Sequence, residues 1–284
     1  MIINQINEAM AESDIQSGEI TSYGLTMYSN SPSYVNLLAS SFSVQLKSGA
    51  KEKRRFGVGV DNNDQFSYAS PLGIDISIDF YIDYFNRGSF EKVINSAGKD
   101  YIYLKIGRNE YKVYLNSLSI AADPFVLVKA TANFSSYETR GNNEGILMGS
   151  NITISNLVTE TLCFGDTCSL IGETQFSIDN PKSVNFSIEC SRTPNYILGS
   201  PNPNNVFLNS IIKKLSFKSD QLSNFINAEG ELLTTTMALV FKDHKGRKIS
   251  QLSVRPSSKI LNQSYAVDDG GLLNTEFLVT EVVL

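Results

Sequence analysis

Several residue types on which enzymes depend are scarce in this sequence. Its 284 residues include no tryptophan, one histidine and three cysteines. The histidine, His244, lies in the charged segment 242–248, where it is either a general base or a solvent-exposed turn residue. No Gly-x-Ser-x-Gly elbow, phosphate-binding glycine loop or His-Glu-x-x-His motif occurs. We therefore expect a protein that is not an enzyme and uses no cofactor.

The cysteines do not form a recognisable metal or disulfide pattern. An odd count disfavours a disulfide scaffold. Cys163 and Cys168 lack the spacing of a close zinc-binding pair, and no second pair accompanies them. They are strand residues on either side of a Gly-Asp turn, partners in a cross-strand disulfide, or metal ligands. We expect no metal site.

Charge and long apolar runs are also limited. Charged residues make up 19% of the chain, and the net charge of −5 disfavours a protein that grips DNA over its whole surface. No window approaches the roughly 18 apolar residues of a membrane-spanning helix. The first ten residues lack the basic and apolar regions of a secretion signal. We therefore expect the protein to be made and folded in a reducing cytoplasm, without a membrane.

Alternating apolar and polar residues are the dominant pattern in this chain. Residues 74–80 place three isoleucines and a phenylalanine on one face and Asp75, Ser77 and Asp79 on the other. Similar alternation occurs at 41–46 and 101–106, with turn-forming residues between such segments. Short strands without long helices between them are typical of sandwiches and barrels. The sequence predicts an all-β fold.

Helical patterns are few and short. Residues 89–95 predict a helix with Ser89 as its N-cap, and residues 220–226 predict a second. Residues 2–10 are consistent with a third helix or with an extended arm.

Short matches recur about 140 residues apart, close to half the chain length. Phe42-Ser-Val-Gln matches Phe186-Ser-Ile-Glu, Leu118-Ser-Ile matches Leu252-Ser-Val, and Asn133-Phe matches Glu276-Phe. Either the chain contains a duplicated domain or one continuous domain has similar strands. The duplicated arrangement predicts an N-terminal arm at 1–19, a first domain at 20–140, a linker at 141–149 and a second domain at 150–284.

Two charged groups are candidates for function. Lys51, Lys53, Arg54 and Arg55 form a basic cluster on a predicted long hairpin. This cluster could contact nucleic acid, be a solvated loop, or dock on an acidic surface of a neighbouring copy. Asp75 and Asp79 are either a glycosidase-like carboxylate pair or outward-facing residues of an exposed sheet.

Residues 185–200, followed by a Pro/Asn loop and the strand at 211–217, resemble the core hairpin of tailed-bacteriophage tail tube proteins. Residues 41–57, continued by 68–71 and 74–80, look like a second copy of that hairpin. The resemblance implies two tandem tube-like β-sandwich or half-barrel domains. In that family, copies close an inner barrel ring, and the rings stack into a tube that conducts DNA. A doubled domain would imply a trimer acting as a pseudo-hexamer.

The function implied is therefore that of a structural virion protein, a tail tube subunit, located in the virion tail and assembled in the cytoplasm of the bacterial host. Its partners would be its own copies, other tail proteins (a sheath or tape measure, a tail terminator and a baseplate) and DNA in transit. The resemblance places the basic cluster at the contact between rings. Asp75, Asp79 and Asp83 are candidates for an acidic lumen. The alternatives are a baseplate hub or distal tail connector, and a carbohydrate-binding β-sandwich adhesin.

Overall fold

The structure is a computed structural model that describes most of the chain. The described residues are 19–29, 34–47, 51–54, 65–68, 73–82, 86–98, 101–106, 109–123, 128–137, 157–161, 167–172, 177–179, 182–198, 200, 202–219, 236–242, 248–255, 262–267 and 273–283. They are mostly β-strand, with one short helix among them, so the predicted all-β class is confirmed.

The first half of the chain contains eight of the described strands and the helix. Their bounds are β1 Glu19–Tyr28, β2 Val35–Lys47, β3 Lys51–Arg54, β4 Gln65–Tyr68, β5 Gly73–Tyr81, α1 Arg87–Ser96, β6 Ile102–Ile106, β7 Asn109–Ala122 and β8 Lys129–Ser136.

The second half contains the other nine described strands. Their bounds are β9 Leu157–Thr161, β10 Thr167–Gly172, β11 Ser177–Asp179, β12 Ser183–Tyr196, β13 Pro203–Ser219, β14 Met237–Lys242, β15 Lys248–Val254, β16 Asn262–Val267 and β17 Leu273–Val283.

Six strands of the first half form a closed barrel. They follow the order β7-β6-β1-β2-β5-β8, and antiparallel pairing of β8 with β7 closes the ring of strands. Side chains of a strand point alternately to its two faces, so every second residue enters the barrel. In β5 the inward residues Ile74, Ile76, Ile78 and Phe80 are buried, as the alternation predicts.

Strand β7 connects the barrel to the second half of the chain. One edge of β7 pairs with β8. The other edge pairs with β6 along 109–113 and with β12 along 117–122. Along this edge of β7, the pairing with β6 stops at Val113 and the pairing with β12 starts at Ser117. A single sheet therefore continues from the barrel into β12, β13, β17 and β16.

A smaller sheet packs on the second half of this large sheet. Its order is β11-β10-β14-β15, and β15 contacts α1, β13 and β17. The apolar side chains between these layers belong to one core that extends through both halves. Its members include Leu25 and Phe134 from the first half and Phe186, Leu215 and Leu252 from the second.

Helix α1 lies between the barrel and the smaller sheet. The buried Phe90 ring makes edge contacts with Phe80 of β5 at 6.1 Å and with Phe241 of β14 at 6.2 Å between ring centroids. Such edge-to-face pairs add to the energy of area burial. The helix predicted at 89–95 is therefore present, and one of its side chains joins the two halves.

The predicted N-cap of α1 was wrong. Asn86 holds the cap position, whereas Ser89 is buried inside the helix and donates a hydrogen bond to the Asn36 carbonyl. The Asn86 amide accepts a hydrogen bond from Leu38 N at 2.8 Å, and it donates to Leu38 O at 3.1 Å and to Tyr81 O at 3.0 Å. Tertiary hydrogen bonds to strands β2 and β5 thus position this end of the helix.

Several predictions concern residues outside the described part of the chain. These are the helix at 220–226, the arm predicted at 1–19 apart from Glu19, with which β1 begins, and the linker at 141–149. The domain boundaries stay predictions. Two pairings join the proposed domains into one sheet, because β12 pairs with β7 and β9 pairs with β1.

Candidate assembly surface

Eight strands of the large sheet lie side by side across both halves of the chain. Their order is β2-β5-β8-β7-β12-β13-β17-β16. One side of this row packs on the core, and the other side, which we call the polar face, carries mainly small polar residues and paired charges. The polar face comprises Ser41, Ser43, Gln45, Lys47, Asp75, Ser77, Asp79, Lys129, Thr131, Asn133, Ser135, Ser117, Ser119, Asn185, Ser187, Glu189, Lys214, Ser216, Lys218, Glu276 and Thr280, together with the apolar residues Ala121, Ile212, Leu278 and Val282.

The strand register aligns these residues in transverse rows. Each residue of a row lies opposite the next one across a strand pair, so the rows cross the boundary between the two halves without a step. One row contains Ser41, Asp79, Thr131, Ser119, Ser187, Lys214 and Thr280, from seven consecutive strands.

Asp79 is held by three neighbours on the polar face. Its carboxylate accepts hydrogen bonds from Thr131 Oγ1 at 2.7 Å and Ser41 Oγ at 2.8 Å, and Lys129 Nζ lies at 2.9 Å. Partial burial acts to raise the pKa of Asp79, but the hydrogen bonds from Thr131, Lys129 and Ser41 outweigh it. The pKa therefore lies below the ordinary value of an aspartate.

Asp75 is held in a similar way four residues earlier on β5. It forms an ion pair with Lys47 and accepts a hydrogen bond from Ser135 Oγ at 2.7 Å. Ser135 in turn accepts a hydrogen bond from Asn116 Nδ2 at 2.6 Å. Both aspartates thus lie on the polar face, where the sequence placed them on one outward strand face, and Asp83 lies outside the described residues.

Lysines from neighbouring strands neutralise the acidic residues of the polar face. The four ion pairs on this face are Lys47–Asp75, Lys129–Asp79, Lys214–Glu189 and Lys218–Glu276. Such partly exposed pairs contribute little to stability. Their effect is on the electrostatic potential of the polar face. Because a lysine lies beside each of these carboxylates, the face does not carry the unbalanced negative charge that the aspartates alone would give.

Strands β3 and β4, which follow β2 and precede β5 in the chain, form a separate two-stranded hairpin. Lys47 pairs with Gly73 at the end of the β2–β5 ladder. Four residues further along the chain, Lys51 pairs with Tyr68 in the β3–β4 ladder, so the register of the two ladders differs by one residue. Lys51, Lys53 and Arg54 belong to β3, which pairs with β4, and Arg55 lies outside the described residues. The contact role of the basic cluster stays a prediction.

A second long hairpin extends from the other half of the sheet. Strands β12 and β13 pair from Ser183 and Lys218 to Tyr196 and Pro203. Neighbouring strands along β2-β5-β8-β7-β12 are antiparallel, so β2 and β12 run in the same direction. The end of β2 that leads to the β3–β4 hairpin and the tip of the β12–β13 hairpin therefore lie at the same end of the sheet.

The end of the β12–β13 hairpin carries exposed apolar side chains. Leu198 is fully exposed, Ile197 is 55% exposed and Phe207 is 53% exposed. Together with Tyr196 they form what we call the apolar tip. A cluster of exposed large apolar residues is typical of an interaction site.

Comparison with known proteins does not assign a family to the chain. No protein-family model matches it, and no curated protein sequence is significantly similar to it.

Within the described residues, the single helix is too short to cross a lipid bilayer. The same residues contain no group of three or more His, Cys, Asp or Glu side chains placed to hold a metal ion. Cys190 is a buried free thiol, and its burial raises the thiol pKa. Cys163 and His244 lie outside the described residues.

Sequence reasoning missed Arg192, which binds the second half of the chain to the first. A register shift in β12 occurs at Ser191 and Arg192, where the strand leaves β7. Arg192 Nε donates a hydrogen bond to Leu115 O at 3.2 Å, and Nη2 donates to Ala97 O at 3.0 Å. Its guanidinium carbon also lies 5.6 Å from the centroid of the Tyr114 ring. No sequence signal pairs these residues, because about 80 to 95 positions separate them.

Sequence reasoning also missed a chain of tyrosines on the outer side of the barrel. Consecutive rings lie 4.9 to 6.2 Å apart, and Lys112 Nζ lies 4.3 Å from the Tyr101 centroid. Burial and the nearby Glu110 carboxylate raise the pKa of Tyr28. The tyrosine chain contains, in spatial order, Tyr34, Tyr28, Tyr103, Tyr101, Tyr114 and Tyr137.

Proposed function

We propose that this protein is a structural subunit of a tailed-bacteriophage tail tube, located in the virion tail. Its copies form rings, and the rings stack around a channel that conducts DNA. The observation that carries the proposal is the eight-stranded polar face, which extends across both halves without interruption. A wide sheet face of mainly polar residues is suited to line a water-filled channel because such side chains stay hydrated and leave their apolar partners on the core side.

Strand pairing supports a duplicated module within the chain. The six pairings of the barrel are β1–β2, β1–β6, β6–β7, β2–β5, β5–β8 and β7–β8. The second half has a counterpart for each: β10–β11, β10–β14, β14–β15, β12–β13, β13–β17 and β16–β17. The counterparts keep the order of strands along the chain. In two places, a pair of strands in the second half corresponds to one strand in the first half. Strands β15 and β16 together correspond to the long β7, and strands β11 and β12 together correspond to β2.

Duplication sets the expected size of the ring. If each half is one tube-like module, then each chain contributes two modules, and three copies give a pseudo-hexamer. The four strands β2-β5-β8-β7 and the four strands β12-β13-β17-β16 would each be one sixth of the channel wall.

The charge pattern of the polar face suits the passage of DNA. A basic wall would bind phosphates and release counterions, which would hold the duplex in place. On the polar face each of Lys47, Lys129 and Lys214 is paired with a carboxylate, so their charges are compensated locally. In this proposal Asp75 and Asp79 act at the lumen by neutralising these lysines, and Asp83 lies on the same chain segment.

The two hairpins are suited to hold one ring on the next. The chain leads from the same end of the sheet to both hairpins, and they differ in chemistry, since the basic cluster Lys51, Lys53, Arg54 and Arg55 belongs to one segment and the other hairpin ends in the apolar tip. A net charge of −5 leaves acidic groups on which a neighbouring ring could receive the cations. We assign the basic cluster to the contact between rings.

Negative-stain electron microscopy of the purified protein at raised concentration tests the proposed function. Stacked rings with a central channel are expected. Single rings that never stack would identify a baseplate hub or distal tail connector instead. Particles that stay monomeric at every concentration would contradict both.

The tyrosine chain favours a second candidate, the carbohydrate-binding adhesin, because aromatic rings are common platforms for sugars. A glycan array distinguishes the candidates: binding to a defined glycan without assembly would support the adhesin, and assembly without glycan binding supports the tube subunit.

A further inference from the structure

The row of eight strands ends in two edges that have no partner strand among the described residues. At one end is β16, which pairs with β17 on one side only. At the other end is the part of β2 at 41–47, which pairs with β5, whereas β1 covers β2 only at 35–39. An unpaired edge presents backbone N–H and C=O groups that readily bind another strand.

Of the two pairings that join the halves among the described strands, the one within the row of eight strands is the junction of β7 with β12. Six residue pairs form it, from Ser117 opposite Glu189 to Ala122 opposite Val184. On the core side, Leu118 lies opposite the buried Ile188. On the polar face, Ser119 lies opposite Ser187. The junction therefore continues both the core and the polar face from one half to the other.

The two open edges correspond to the two strands of this junction. In the correspondence between the two halves, the pair β16–β17 corresponds to the pair β7–β8, so the open edge of β16 corresponds to the edge of β7 that binds β12. Likewise the pair β2–β5 corresponds to the pair β12–β13, so the open edge of β2 corresponds to the edge of β12 that binds β7. We infer that β16 of one copy pairs antiparallel with residues 41–47 of the next copy, as β7 pairs with β12 inside each chain. This inference rests on the duplication in the proposed function and names the surface through which its rings close.

The two edges of one chain are too far apart to pair with each other. Seven strand spacings of about 4.8 Å separate β2 from β16, or roughly 34 Å along the sheet. On the core side, the remaining barrel strands and the smaller sheet occupy the space into which the row would have to curl. A second copy is thus the occupant that fits each edge.

Such an interface is heterologous, because two different edges meet. Heterologous contacts repeat from copy to copy and close into a ring when the rotation permits. The strand alternation also sets which residues continue the polar face. Ser264 of β16 lies opposite Glu276, a polar-face residue, so we expect Ser264 to align with the polar-face positions Ser41, Ser43 or Gln45 of the next copy.

Disulfide cross-linking between variants that each carry one added cysteine tests this interface. Ser264→Cys is mixed with Ser41→Cys, Ser43→Cys or Gln45→Cys in separate samples, and each is oxidised and run on a non-reducing gel. At least one mixture is expected to give a covalent dimer that reductant removes. Each variant alone is expected to stay at the background of the unmodified chain, because the edge of β16 does not meet itself. Ser77→Cys is the matched control, since β5 is covered by β2 on one side and β8 on the other.

The possible outcomes separate the inference from the proposed function. Rings seen by microscopy without a cross-link in any of the three mixtures would overturn the edge pairing and leave the tube subunit standing. Equal cross-linking of Ser264→Cys with Ser77→Cys would also overturn it. A protein that neither forms rings nor cross-links would overturn both.

Discussion

Arg192 Nη2 donates a hydrogen bond to the carbonyl oxygen of Ala97, at a distance of 3.0 Å. Ala97 is the C-cap of helix α1 in the first half of the chain, and Arg192 belongs to β12 in the second. A cation at a helix C-terminus interacts favourably with the exposed carbonyl groups there. The contact fixes β12 where it separates from β7, so it supports the junction on which the continuous polar face depends.

Replacing Arg192 is therefore expected to destabilise the fold. Arg192→Ala removes the hydrogen bonds to Leu115 and Ala97, and we expect a loss of about 2–4 kcal/mol in the free energy of unfolding, because the donor is charged. Urea denaturation measures the change. Lys105→Ala, on an exposed part of β6, is the control and should stay within about 0.5 kcal/mol. A loss of that small size for Arg192→Ala would contradict the prediction.

Truncation of the Phe90 side chain is expected to lower the free energy of unfolding strongly. It is fully buried between Phe80 and Phe241, so Phe90→Ala leaves a cavity between the barrel and the smaller sheet. We expect a loss of about 3–5 kcal/mol. Phe90→Leu, which fills most of the space, should cost less than half as much. Thermal and urea unfolding of both variants measure the difference, and equal losses would show that the ring is not packed as described.

Asp79 is expected to stabilise the protein at neutral pH and not in acid. Its folded pKa lies below the unfolded value of about 3.9, so its contribution is complete above that value and is lost as pH falls through the folded pKa. We expect Asp79→Asn to cost about 1 kcal/mol at pH 7. The difference from the unmodified protein should shrink below about pH 4. Urea unfolding at several pH values measures this, with the exposed Asp123→Asn as control; a difference that does not change with pH would contradict it.

The basic cluster is expected to control stacking and not folding. Replacing Lys51, Lys53, Arg54 and Arg55 together by alanine should shorten or abolish tubes while circular dichroism stays unchanged. Salt should have the same effect on the unmodified protein, because the Debye length falls from about 10 Å at 0.1 M to about 3 Å at 1 M. Electron microscopy measures tube length. Tubes of normal length from the quadruple variant would refute this role.

The apolar tip is expected to contribute a stacking contact that salt does not weaken. Ile197→Ser with Leu198→Ser should leave the free energy of unfolding within about 0.5 kcal/mol for each change, because both side chains are exposed. Tube length should nevertheless fall, and most clearly at high salt, where the charged contact is already screened. If the double variant forms normal tubes at both salt concentrations, the tip has no part in stacking.

Local patterns were sufficient for the parts of the fold that depend on neighbouring residues. The alternation at 74–80 predicts which side of β5 is buried, because successive side chains of a strand point to opposite faces. The helix near residue 90 was predicted for the same kind of reason. Its cap was not, because the Asn86 amide binds Leu38, which lies 48 positions away.

The candidate site was predicted in part. Asp75 and Asp79 were placed on one strand face, and the basic cluster on a long hairpin, from their positions in the sequence. The charge balance of that face was not predicted, because Lys47 and Lys129 reach the aspartates from strands β2 and β8. The sequence shows which residues are charged. Which of them form ion pairs depends on which strands become neighbours in the sheet.

The amino-acid pattern alone determined that this chain forms antiparallel strands with one polar side, since period-two alternation is a property of adjacent residues. It also determined where the strongest local charge lies. Only the tertiary structure decided that β7 takes β12 as a neighbour, that the barrel closes through β8, and that two edges of the row have no partner among the described strands. Those outcomes depend on contacts between residues far apart in the chain, whose energies no local pattern contains.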